Sequence, residues 1–116
     1  YPFFWGHSDE RGEGAGEGAT LNLPLPRGTD LASYMAALET GLAAIRAFGA
    51  GMLCVSFGAD TFAGDPISQF ALQTADYTPI ARSIAALGLP TVIVMEGGYA
   101  VDALGANVAA FLAGFE

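Results

Sequence analysis

Two short apolar runs constrain the fold of this chain more than any other feature: Met52 to Phe57 (MLCVSF) and Thr91 to Met95 (TVIVM). Each has the length of a strand and ends in small, polar, turn-forming residues. Neither alternates cleanly between apolar and polar, as strands of parallel sheets covered on both faces do not. The segments around them carry a helical pattern. Leu31, Met35, Leu38, Leu42, Ile45 and Phe48 recur at spacings of three and four, so they share one helix face. Thr29 or Asp30 caps its start and Gly49 closes it. A second helix is expected from about Asp76 to Leu87, with Thr74 as its N-cap, Tyr77, Ile80, Ile84 and Leu87 facing inward and Gly88 just past its end. Pro79 falls in its first turn, where a missing amide hydrogen costs little. A third, from about Val101 to Ala113, buries Leu104, Val108, Phe111 and Leu112.

Helix, strand, helix, strand, helix is the order of an α/β fold, with parallel strands joined by a right-handed crossover. Ligands of such sheets bind beyond the carboxyl ends of the strands. That rule puts Asp60, in the loop after the first strand, and Tyr99, in Glu96-Gly97-Gly98-Tyr99 after the second, on one rim. Two strands make a poor sheet, so the chain is expected to complete a larger one. Residues 1 to 30 read as loop. Their glycine-rich part, HSDERGEGAGEGA, is no dinucleotide fingerprint: the final glycine position holds Glu17 or Ala19, Glu13 and Glu17 would repel a pyrophosphate, and no apolar strand precedes it. Leu21 to Pro26 alternates like a short strand, confined by its prolines to an edge or a strand end.

The formal charge of −8, with four arginines and no lysine, argues against a nucleic-acid partner, since such binding depends on neutralising phosphates. A cationic partner suits it better, but acidic surfaces are common and the simpler reading is that the charge keeps the protein soluble. At 53% hydrophobic residues the 116-residue chain has ample material for a core, yet no run is long enough to span a bilayer, so no membrane partner is expected. The sole cysteine, Cys54, lies mid-strand and reads as a buried structural thiol. The chain starts at Tyr1 without methionine or a basic signal flank, and is expected to begin within a longer protein located in the cytoplasm.

Gly58-Ala59-Asp60, Gly64-Asp65-Pro66 and Glu96-Gly97-Gly98-Tyr99 resemble the C-terminal part of the histone deacetylase and acetylpolyamine amidohydrolase family. Tyr1-Pro2-Phe3-Phe4-Trp5-Gly6, Asp9-Glu10-Arg11-Gly12 and Asn22-Leu23-Pro24-Leu25-Pro26 resemble it too, the acetylpolyamine branch most closely. The resemblance spans nearly the whole chain. It implies a three-layer αβα fold with a parallel sheet, of the arginase/deacetylase kind, represented here by its C-terminal portion. In residues 1–116 it implies a rim loop and edge strand up to residue 30, followed by the helix-strand-helix-strand-helix unit.

By the same resemblance, the intact protein is a zinc-dependent amidohydrolase that removes acetyl groups from acetylated polyamines or acetyl-lysine-like amines. Asp60 matches one of three Zn2+ ligands, and a carboxylate is an acceptable one. Tyr99 matches the tyrosine whose hydroxyl donates to the developing oxyanion. Gly97 and Gly98 let the backbone approach the acyl group, and Phe4 and Ile67 match residues that wall the acyl tunnel. The second aspartate, the histidine ligand and the histidine pair that moves protons match nothing here, so they are expected upstream and the fragment alone is expected to be inactive. An alkali-metal ion and a homo-oligomer are left open, as are the roles of Glu96 and Asp65, the latter read as a turn or hydrogen-bonding residue. His7 reads as a rim residue. Without the family, Asp60 would be a turn or capping residue and Tyr99 a packing aromatic. The rivals are a non-catalytic deacetylase-like module and a small autonomous α/β binding domain.

Overall fold

The computed structural model describes residues 4–116; Tyr1, Pro2 and Phe3, which begin the aromatic opening motif, lie outside the described residues. Five elements follow the expected order: α1 (Leu31–Phe48), β1 (Leu53–Phe57), α2 (Tyr77–Ala85), β2 (Thr91–Met95) and α3 (Val101–Leu112). Asp30 is the cap of α1, its carboxylate accepting the Ser33 amide at 2.9 Å, and Gly49 ends the helix in the left-handed conformation at φ 74°. The strands pair in parallel with Leu53 opposite Thr91 and Phe57 opposite Met95.

All three helices feed one core. Leu42 of α1, Phe57 of β1, Tyr77, Ile80, Ala81 and Ile84 of α2 and Phe111 of α3 are buried together, with Leu53, Val55 and Ile93 packed against them. Phe57 stacks on Phe111 with ring centroids 3.9 Å apart and meets Tyr77 edge-on at 5.6 Å. The helices therefore lie on the sheet face that carries Leu53, Val55, Phe57 and Ile93.

The opposite face differs from expectation. Cys54, Ser56, Val92 and Val94 are exposed, so the strands are covered on one face by the described residues and Cys54 is an open thiol. Parallel strands carry apolar residues on both faces because both are normally covered, and a sequence run cannot show which cover its own chain supplies. Leu112 and Phe48, assigned to inner faces by spacing, are 47% and 78% exposed; Leu112 follows the buried Phe111 by one residue, which turns it about 100° around the helix from the core.

Two further expectations fail for local reasons. Leu21 to Pro26 forms no strand. Backbone pairing starts only beyond its prolines, where Gly28 donates to Gln69 at 2.7 Å and Ala71 donates to Thr29 at 2.9 Å. Thr74 does not cap α2. It opens a 3-10 turn, Thr74–Asp76, whose cap contact is the Gln73 amide donating to the Asp76 carboxylate at 2.8 Å. The Thr74 hydroxyl instead donates to the buried Asn107 of α3 at 2.7 Å.

Candidate functional site

The ladder continues beyond the carboxyl ends of the strands. Glu96 donates to Phe57 at 2.8 Å and Ala59 donates to Gly97 at 2.7 Å, which holds the two strand-end loops edge to edge. Asp60 follows at once in a tight 3-10 turn, Ala59–Thr61. Tyr77 grips the residues on both sides of it: its hydroxyl donates to the Ala59 carbonyl at 3.1 Å and pairs with the Thr61 hydroxyl at 3.1 Å. Burial pushes that phenol up to about 12, so it stays a donor.

The Asp60 carboxylate is wedged between glycines. A Cβ on Gly58 would lie 2.7 Å from its Oδ1, and one on Gly97 would overlap its Oδ2. Gly98 has φ 148°, and a side chain there would also meet Leu104 at 2.8 Å. Asp60 lines a cavity of about 800 Å³ together with Ile67, Tyr34, Thr61, Phe70 and Arg27. Burial, then the negative charge of Asp65, raises its pKa. Among the described residues no other residue donates a hydrogen bond to it. A desolvated carboxylate with free acceptor oxygens at a cavity wall fits a cation, and zinc takes such an oxygen. Asp60 stands alone in this: no group of three His, Cys, Asp or Glu side chains comes together among the described residues.

Of the residues picked from sequence, Asp60, Gly97 and Ile67 converge: Gly97 touches the carboxylate and Ile67, 64% exposed, shares its cavity. Gly98 packs against Ala59, with 3.2 Å between the Ala59 methyl and the position of an added Cβ. Tyr99 stands half-exposed in the loop after β2, and neither it nor Phe4, which is 85% exposed, lines the cavity. His7 is exposed, in a loop organised by Glu10, whose carboxylate accepts the Gly6 amide at 2.7 Å and the Asn22 side chain at 3.2 Å.

Three participants were not singled out for the site. Tyr34 of α1 lines the cavity and meets Phe70 edge-on at 6.3 Å; its place one turn beyond Leu31 is a signal that could have found it. Tyr77 appeared only as a core residue. Asp65, expected as a turn or hydrogen-bonding residue, does bond within its own turn. Its second oxygen crosses to the other loop, where it accepts the Tyr99 amide at 2.7 Å.

Comparison with known proteins matches residues 1–115 to the histone deacetylase domain. The chain is 48% identical to acetylpolyamine amidohydrolase 2 of Pseudomonas aeruginosa over 116 residues, covering all of this chain and 34% of that protein. It is 49% identical to the acetylpolyamine amidohydrolase of Mycoplana ramosa over 114 residues, covering 98% of this chain and 33% of that one. The crystal structure of acetylpolyamine aminohydrolase from Burkholderia pseudomallei superimposes with a TM-score of 0.94 at 42% identity, over 99% of this chain and 34% of that one. The chain thus spans about a third of the length of these relatives. Its parallel sheet and helices are part of a three-layer α/β fold of the deacetylase kind.

Proposed function

Because this chain belongs to the histone deacetylase family, we propose that it is the C-terminal portion of a zinc-dependent amidohydrolase that removes acetyl groups from small cationic amines, acetylated polyamines first among them. The observation that carries the reading is the carboxylate of Asp60, held at the end of β1 against Gly97 and open to a cavity, in a chain 48% identical to an acetylpolyamine amidohydrolase.

Asp60 would supply one of three zinc ligands, the others coming from family residues that this chain does not span. Zinc held there would supply Lewis acidity toward the attacking water and the amide carbonyl. Tyr77 and the two flanking glycines fix the carboxylate in place, so the ligand needs no rearrangement to bind. Tyr99 donates its hydroxyl to the carbonyl oxygen as negative charge grows on it. Gly97 and Gly98 keep side chains out of the space in which the acetyl group turns. Ile67 forms an apolar wall for the methylene chain of the substrate, and the net charge of −8 favours a cationic amine over an anionic one. Water adds across the amide, and acetate and the free amine leave.

The test uses the full-length protein, with metal analysis and turnover of acetylated polyamines against acetyl-lysine peptides. The expected result is about one zinc per chain and faster turnover of the polyamines. Faster turnover of the peptides would remove the polyamine choice. No metal and no turnover would leave a deacetylase-like binding module.

A further inference from the structure

Asp65 is 7% exposed, and its carboxylate accepts four backbone amides. Oδ1 takes the amides of Ile67 at 2.9 Å and Ser68 at 3.2 Å, which locks the side chain into its own turn. Oδ2 reaches the other strand-end loop and takes the amides of Tyr99 at 2.7 Å and Ala100 at 3.3 Å. The shortest of the four bonds is thus the one to Tyr99.

That loop has few other anchors. Gly97 and Gly98 contribute no side chains, and α3, whose N-cap is Ala100, has no capping side chain of its own. The Asp65 carboxylate instead takes the amide of the N-cap residue Ala100, which sets its negative charge at the positive end of the helix. Tyr99 itself is 49% exposed, so packing does little to fix it, and the place of its hydroxyl depends on where its backbone is held.

We propose that Asp65 is the positioning residue for Tyr99: one oxygen fastens it to its own turn, and the other fixes the backbone from which the tyrosine hydroxyl is aimed at the substrate carbonyl. The inference rests on the catalytic role proposed for Tyr99. Asp65 touches neither metal nor substrate. It acts through Tyr99, so its effect belongs to the transition state and should vanish when the tyrosine has no hydroxyl to aim.

The experiment is a double-mutant cycle in the full-length, zinc-loaded enzyme with an acetylated polyamine as substrate. Asp65→Asn keeps an acceptor for its own turn and turns an NH2 toward the amides of Tyr99 and Ala100; Asp65→Ser keeps a turn acceptor and leaves those amides empty. Each is measured alone and with Tyr99→Phe. Alone, each is expected to lower kcat about 10- to 100-fold with KM changed by less than about threefold and zinc content unchanged. With Tyr99→Phe, the same substitutions should lower kcat by less than about threefold more. Losses that multiply in full, loss of zinc, unchanged kcat, or failure of both variants to fold would overturn the proposal, since the carboxylate would then serve the fold, the metal or nothing. A wild-type enzyme that deacetylates nothing overturns the functional reading and this inference with it. An active wild type with fully multiplying losses overturns this inference alone.

Discussion

Gly97 lies against the carboxylate of Asp60 with no room for a methyl group between them. The contact joins the loops after β1 and β2 at the point where the proposed metal ligand sits. The obstructing atom is the far end of a side chain, which can rotate away. A methyl group at this position should therefore leave the fold intact and spoil the ligand. Gly97→Ala is expected to keep its unfolding midpoint while losing metal affinity or activity about 10- to 100-fold, read by zinc titration and by turnover. Unchanged zinc affinity would mean that the carboxylate does not need this orientation.

Tyr99→Phe removes one hydroxyl from an exposed rim position and should cost the structure little. If that hydroxyl stabilises the oxyanion, kcat falls about 10²- to 10³-fold while KM and zinc content hold. Steady-state kinetics with metal analysis read both quantities. Loss of metal in this variant would contradict the assignment.

Periodicity carried most of the fold. The apolar spacing of α1, the run Thr91–Met95 and the left-handed glycines at 49 and 88 locate real elements, because these signals are local, whereas Thr74 failed as a cap because its hydroxyl is taken by Asn107 of another helix. The exposure of Cys54 was not legible, since strand composition records that a face is covered somewhere without recording by what. For the site, the sequence pattern gives the place of Asp60 after a strand, which by itself suits a turn residue as well as a ligand, and only the family resemblance points to a metal. The reach of Asp65 could not be read, because it requires knowing that residues 34 positions apart meet. Tyr77 was hidden for a similar reason: a buried aromatic on a helix face looks like core until its hydroxyl is traced to Ala59 and Thr61.

The charge state of Asp65 gives the stability a pH dependence of definite sign. Burial pushes its pKa up, but the amides of Ile67, Tyr99, Ser68 and Ala100 together hold it below the ordinary aspartate value. The folded state therefore binds this proton more weakly than the unfolded chain. Its contribution is fully present above the unfolded pKa of about 3.9 and is lost as pH falls through the lower folded value. In the full-length protein, the gap in unfolding midpoint between wild type and Asp65→Asn should be constant from neutral pH to about 5 and should close below about 3.9. A gap that instead opened as the pH dropped would show that the carboxylate favours its protonated form.

The stack of Phe57 on Phe111 separates stability from site geometry. Phe57 ends β1 three residues before Asp60, and Phe111 of α3 lies flat against it with ring planes 13° apart. The backbone around Asp60, by contrast, is fixed by the Tyr77 hydroxyl donating to the Ala59 carbonyl and by the Ala59 amide donating to the Gly97 carbonyl. Phe111→Ala should therefore weaken the fold by about 3 to 5 kcal/mol, the usual loss when a buried phenylalanine leaves a cavity. Folded protein of this variant should still bind zinc close to wild-type affinity. Urea unfolding gives the first quantity and zinc titration below the transition gives the second. Tyr77→Phe should do the reverse, with a smaller loss of stability and a loss of about tenfold or more in zinc affinity, because it leaves the stack in place and frees the turn that carries the ligand. If both variants lost stability and metal in the same proportion, the core and the rim would be one cooperative unit, and the hydrogen bonds of Tyr77 would have no separate part in holding Asp60.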